Sequence, residues 1–125
     1  MRPFSHPAIE DITVEAVLHA LSDPVRVAIY AEIVEQECAA NCAAFQQVLA
    51  EPIPKSTLSQ HIRVLREAGL ICSEHRGVEV LNTSRCAEVD ARFPGLLGSI
   101  VSAYGRQTAD VKRHAKRKKQ RNSDR

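Results

Sequence analysis

Residues 55–71 read Lys55-Ser56-Thr57-Leu58-Ser59-Gln60-His61-Ile62-Arg63-Val64-Leu65-Arg66-Glu67-Ala68-Gly69-Leu70-Ile71. Leu58, Ile62 and Leu65 recur at i, i+4 and i+7, so they form a narrow inward stripe on a helix over 54–68 that Pro54 opens. Gly69 stops this helix as the residue just past its end, and Leu70 folds back on the last turn. The opposite face offers Lys55, Ser56, Thr57, Ser59, Gln60, His61 and Arg63, with no acid before Glu67. Base edges in a duplex major groove present donors and acceptors in fixed patterns, and a helix that reads them needs this mixture of short polar groups and cations. An ordinary solvated face would mix Glu with Lys, so DNA contact is the preferred reading of this run.

Past Ile71 the apolar period drops from helical to about 2. Segments 70–74 and 78–82 flank His75-Arg76-Gly77 and predict a two-stranded hairpin. His75 and Arg76 are expected at its tip, placed to meet phosphate or the minor groove, while Glu74 and Glu79 reduce the positive field there. Ser84 and Arg85 open another helical stretch, interrupted at Phe93-Pro94-Gly95. Leu96, Leu97, Ile100, Val101 and Tyr104 then form an apolar stripe on a last helix, wide enough to seek a symmetry mate.

Upstream, Val14, Val17, Leu18 and Leu21 predict a first amphipathic helix over 11–21. It ends at Ser22-Asp23-Pro24, where Ser or Asp caps the next helix and Pro24 takes its first position. That second helix, over 24–37, buries Val27, Ile29, Tyr30, Ile33 and Val34. Phe45, Val48 and Leu49 mark a third over 41–50, with Asn41 as its cap. The order helix, helix, helix-turn-helix, hairpin, helix is that of a winged helix-turn-helix, mainly α with a small β-hairpin (α-α-α-α-β-β-α). We divide the chain into an N-terminal arm over 1–11, the DNA-binding and dimerisation domain over 12–111 and a basic tail over 112–125.

A chain of 125 residues, 44% apolar and 26% charged, suits one modest core. Its net charge of +2 hides a division. Residues 112–125 carry eight Lys and Arg against one Asp, a net +7, and residues 1–111 carry nine against fourteen acids, a net −5. Such a basic end seeks a polyanion such as nucleic acid, or else serves only solubility. No apolar window approaches a bilayer span, and the opening Met1-Arg2-Pro3-Phe4-Ser5-His6 lacks a signal-peptide core, so a cytoplasmic protein without membrane contact is expected. A Gly-rich phosphate loop, a zinc-protease His pair and a local nucleophile signature are all missing, which argues against an enzyme.

Four cysteines, Cys38, Cys42, Cys72 and Cys86, are too few for a disulfide scaffold. Cys38 and Cys42 are four apart and would share one face of a continuous helix. Two thiolates alone make a poor metal site, so structural packing is favoured over redox or metal sensing for this pair. Cys72, on an alternating strand, is expected in the core. His61 and His75 fit phosphate or base contact better than metal ligation.

The sequence resembles the ArsR (ArsR/SmtB) family of bacterial winged-helix transcriptional regulators. The likeness is carried by Ala20-Leu21-Ser22-Asp23-Pro24-Val25-Arg26, by the quoted run through Ile71 and by the wing closing at Gly77, and it covers residues 12–105. It implies a homodimer that binds a palindromic operator on double-stranded DNA and represses transcription until a signal, here unknown, releases it. It also implies that the first and last helices form the dimer interface, which assigns Val14, Val17, Leu97, Ile100, Val101 and Tyr104 to that seam. Many members sense metals through two cysteines on the third helix or Asp and His on the last. Here Cys42 is followed by Ala43, Ala44 and Phe45, and Asp90 and Arg92 stand where an Asp-x-His pair would lie, with no histidine until His114. Neither set is complete, so no cofactor is expected. The readings left beside a repressor are a thiol- or metal-responsive derepressor using Cys38 and Cys42, and a winged-helix module for protein interaction.

Overall fold

A computed structural model describes residues 3–36, 49 and 51–123 of the chain. The expected third helix, with Cys38 and Cys42, lies outside the described residues but for Leu49. The chain divides into two units, one ending at Pro94 and one beginning at Gly95.

In the first unit a 3-10 turn, Ile9–Asp11, precedes α1, Val14–Ala20, and α2, Pro24–Gln36. Next among the described elements come α3, Lys55–Glu67, the hairpin strands β1, Ile71–Arg76, and β2, Glu79–Ser84, and α4, Cys86–Arg92. Helix α1 starts later than its apolar pattern predicts because Thr13 adopts extended backbone and its hydroxyl caps the Ala16 amide at 3.2 Å. Asp23 caps α2 as expected. Its Oδ1 accepts from the amides of Val25 at 2.8 Å and Arg26 at 3.2 Å.

The end of α3 is a Schellman motif. Gly69 N–H donates to Arg66 O and Leu70 N–H to Leu65 O, each at 3.1 Å, with Gly69 at φ +87°. The antiparallel register runs from Ile71 opposite Ser84 to Arg76 opposite Glu79. Gly77, at φ +63°, and Val78 therefore make a two-residue turn. His75 and Arg76 belong to β1 and do not form the tip; the tight glycine turn lets both strands run further than the apolar alternation shows.

The core is built from Ile12, Val17, Ile29, Tyr30, Ile33, Leu58, Leu65, Leu70, Ile71 and Val89, all fully or nearly fully buried. Each such side chain contributes about 1.5–3 kcal/mol by leaving water. Val34 stays half-buried. Cys72 is half-buried as well, not core, because Ile71 and Ser73 take the inward side of the pleat and Cys72 the other. Cys86 is exposed at the start of α4.

The second unit holds α5, Leu96–Ser123, a helix of 28 residues and hence about 42 Å long. It runs unbroken past residue 112, so the basic segment is helical as far as Ser123 and exposed throughout. Among the described residues no helix is long and apolar enough to cross a membrane.

Candidate nucleic-acid interface

Helix α3 turns Leu58, Ile62 and Leu65 inward, at 4% exposure or less, and leaves Lys55, Ser56, Thr57, Ser59 and Gln60 exposed. Pro54 precedes it without a side-chain cap, and the first turn holds no acid. The leading amides of α3 and the positive end of its dipole thus face outward beside Lys55, Ser56 and Thr57, an arrangement suited to phosphate.

His61 stands apart from that set. It is half-buried, and its Nδ1 lies 3.4 Å from Arg26 Nη1. Arg26 also donates from Nε to Ala20 O at 2.8 Å and from Nη2 to His19 O at 3.3 Å, with Asp23 Oδ2 3.9 Å from Nη1. One guanidinium thereby joins the end of α1, the cap of α2 and the middle of α3. This gives the Asp23-Pro24-Val25-Arg26 motif a physical role: the carboxylate starts α2 while the arginine sets α3 against it. Arg63 is exposed and paired with Glu67 at 2.9 Å, a solvent-facing pair worth little and free to open toward phosphate.

The wing differs from its expected form. Val78 is fully exposed at the tip, and Arg76 pairs with Glu74 at 3.2 Å. The His75 ring stacks on Phe4, centroids 4.4 Å apart and planes 19° from parallel. The Arg66 guanidinium lies 4.4 Å from the same Phe4 centroid, so the phenyl ring is held between α3 and β1. His6 Nε2 accepts from the Ser73 amide at 3.0 Å, and Arg85 Nη1 donates to Pro7 O at 2.9 Å. Sequence reasoning assigns no role to Phe4, His6 or Arg66. The one signal for Phe4 is an aromatic in a short Pro-rich arm, whose partners lie more than sixty residues away.

Four ionisations are moved by this packing, among them that of the Arg66 guanidinium, which burial lowers. Burial, helped by Arg66 and Arg85, pushes the His6 imidazole below its usual 6.5. Burial drives the Tyr30 phenol up to about 12, against a smaller opposing effect of its hydrogen bond with Ser84. The hydrogen bond from Arg85 lowers the Glu88 carboxyl.

The residues assigned to the dimer seam divide. Val17 is fully buried within the first unit, so it has no surface left for a second chain. Val14 is 36% exposed, and Leu18 beside it, one helical turn on, is 50% exposed. On α5, Ile100, Val101 and Tyr104 are half-buried. Among the described residues no three His, Cys, Asp or Glu side chains converge as a metal site.

Comparison with known proteins follows the same lines. The family described as a helix-turn-helix domain matches residues 21–73. The HTH-type transcriptional repressor SmtB of Mycobacterium tuberculosis is 38% identical over 66 residues, which cover 52% of this chain and 45% of that protein. The chain thus spans less than half the length of this curated relative. Among solved structures, the transcriptional repressor BigR from Xylella fastidiosa is 26% identical with a TM-score of 0.52, over 63% of this chain and 76% of that one. An ArsR-like transcriptional regulator from Rhodococcus sp. RHA1 is 26% identical with a TM-score of 0.51, over 81% and 91% of the two chains.

Proposed function

We propose that the chain is a member of the ArsR/SmtB family of winged helix-turn-helix proteins and, with it, a sequence-specific DNA-binding transcriptional regulator of the bacterial cytosol, a repressor and not an enzyme. One observation carries this reading. The outward face of α3 gathers Lys55, Ser56, Thr57, Ser59 and Gln60 with no carboxylate among them, on a helix anchored from behind by three buried aliphatic side chains. In the major groove, Ser59 and Gln60 read base edges, while Lys55 and the leading amides hold phosphate. Arg63 and Arg76 reach phosphate by leaving their carboxylate partners.

The regulator acts as a homodimer, so that two copies of α3 meet two half-sites about one helical turn apart. The exposed pair Val14 and Leu18 on α1, and the half-buried Ile100, Val101 and Tyr104 on α5, supply the apolar surface for the second copy. The cations of α5 beyond residue 111 add affinity for any duplex by displacing counterions.

The test is a fluorescence-anisotropy titration of the reduced protein on duplex DNA from its own promoter region, in competition with random sequence. Preference for the promoter of at least about a hundredfold supports the reading, since specific complexes exceed non-specific ones by roughly a thousandfold or more. Equal binding to both refutes it and leaves the fold as a protein-interaction module.

A further inference from the structure

Residues 4–7 bridge the two parts that the proposed function sends to DNA. Phe4 lies between Arg66 of α3 and His75 of β1, each 4.4 Å from its centroid. Behind it Ser73 is a junction. Its amide donates to His6 Nε2 at 3.0 Å, its Oγ donates to Asn82 Oδ1 at 2.6 Å, and the same Oγ accepts from Arg66 Nη1 at 3.2 Å. Ser73 and Asn82 are buried, so this is interior structure and not a surface tangle. Arg85 anchors the far end of the arm through Pro7 O.

We propose that the arm is a clasp that fixes the wing against the end of α3, that Phe4 and His6 are positioning residues for DNA binding, and that protonation of His6 opens the clasp. The inference rests on the DNA-binding reading above. It follows from which atoms the arm holds. The bond from Arg66 to Ser73 ties the last turn of the reading helix to the strand that carries the wing, and Phe4 and His6 grip those same two residues or their neighbours. Losing the arm loosens the angle between two elements that must meet one duplex together.

The proton sensitivity has a geometric origin. His6 holds Ser73 by accepting a hydrogen bond, and an imidazolium has two N–H donors and no acceptor, so protonation sets donor against donor. The surrounding charges act in the same sense. Arg66 on α3 and Arg85 after β2 both repel an imidazolium. Of the acids near the arm, Glu88 on α4 is bound to Arg85 at 2.8 Å, Glu67 on α3 to Arg63, and Glu74 on β1 to Arg76. His75 is the other titratable group of the cluster and sits across Phe4. A released arm titrates at about 6.5, above the clasped one, so the open form takes the proton first. The clasp is therefore complete above that pH and weakens as pH falls below it.

The experiment uses the full chain, promoter and random duplexes, and a series from about pH 8 to about pH 5.5, with the Ser73 amide followed by NMR without DNA. Phe4→Ala is expected to weaken promoter binding about tenfold at the upper pH, random-sequence binding changing much less, and Phe4→Tyr to restore it. His6→Gln, whose amide oxygen accepts without titrating, keeps the upper-pH affinity and lacks the extra loss that the unaltered chain shows on acidification. The Ser73 amide resonance moves with the His6 titration. Phe4→Ala and His6→Ala that bind promoter like the unaltered chain at every pH, or a Ser73 resonance indifferent to His6, overturn the clasp. An unaltered chain with no promoter preference refutes the DNA-binding reading instead, and the Ser73 resonance then decides the clasp alone.

Discussion

Gly69 and Ile12 are packed so closely that a Cβ on the glycine would lie 2.5 Å from Ile12 Cγ1 and 2.6 Å from its Cδ1. Ile12 is 1% exposed and has no room to retreat. Gly69 also sits at φ +87°, where an L side chain is strained. Gly69→Ala is expected to lower stability by about 2–4 kcal/mol, the strain and the overlap adding. In urea denaturation, the double variant with Ile12→Ala should lose less than the sum of the two single losses. A Gly69→Ala chain as stable as the original would show that this packing yields freely.

How much of the fold is legible in the sequence depends on range. Asp23-Pro24 and Gly69-Leu70 act within one helical turn, and the local pattern alone identifies both. The inward stripe of α3 is equally plain. The wing tip lies two residues beyond its expected place because alternation alone does not fix a register, whereas a glycine able to turn in two residues does. His61 and His75 read as DNA contacts because nothing near them in sequence announces Arg26 or Phe4. Polar residues that face each other across the fold leave no periodic trace, and Val17 reads as interface because one apolar stripe serves core and partner alike.

Arg26 makes a second prediction. Its guanidinium binds Ala20 O and His19 O and approaches His61, so Arg26→Lys keeps the charge but loses the fork that reaches all three. The expected cost is about 1.5–3 kcal/mol in denaturation, the range for hydrogen bonds made by a charged group. Promoter affinity should fall further than stability accounts for, because α3 loses its tie to α1 and α2. Equal promoter binding by a folded Arg26→Lys protein would remove the positioning role.

Tyr30 gives a prediction in the alkaline range. Its hydroxyl lies 3.1 Å from Ser84 Oγ, which also accepts from the Cys86 amide at 3.0 Å, and burial raises the phenol to about 12. A raised pKa in the folded chain means that the neutral phenol favours folding. This contribution is complete below the unfolded value of about 10 and is lost as pH climbs from there toward 12. Phenolate absorbance should therefore show Tyr30 ionising near 12 in the folded chain, well above a free phenol, and Tyr30→Phe should flatten the alkaline loss of stability. A Tyr30 that ionises near 10 in the folded protein would contradict its buried setting.

The apolar pair on α1 tests the dimer. Leu18 is 50% exposed, so Leu18→Asp disturbs little in the first unit itself. If a second copy covers it, the buried carboxylate costs several kcal/mol at the seam. Sedimentation should then find monomers at concentrations where the original chain is dimeric, with the helical spectrum unchanged. A Leu18→Asp chain that stays dimeric would move the interface away from α1.

Base reading and charge make separable contributions to DNA binding, and two sets of variants tell them apart. Gln60→Ala removes an exposed side chain from the middle of α3 and should weaken promoter binding by about 1–3 kcal/mol, with relaxed preference at the bases it meets. Lys116→Gln with Lys119→Gln removes two exposed charges from α5, far along the chain from the base-reading residues. These should weaken promoter and random DNA alike and reduce the steepness of the salt dependence by roughly one unit for each phosphate no longer neutralised. The contrast is sharper than either measurement alone. If Gln60→Ala weakened both duplexes equally while the lysine pair left the salt dependence untouched, base readout would have to move off α3 and the cations of α5 would serve only solubility.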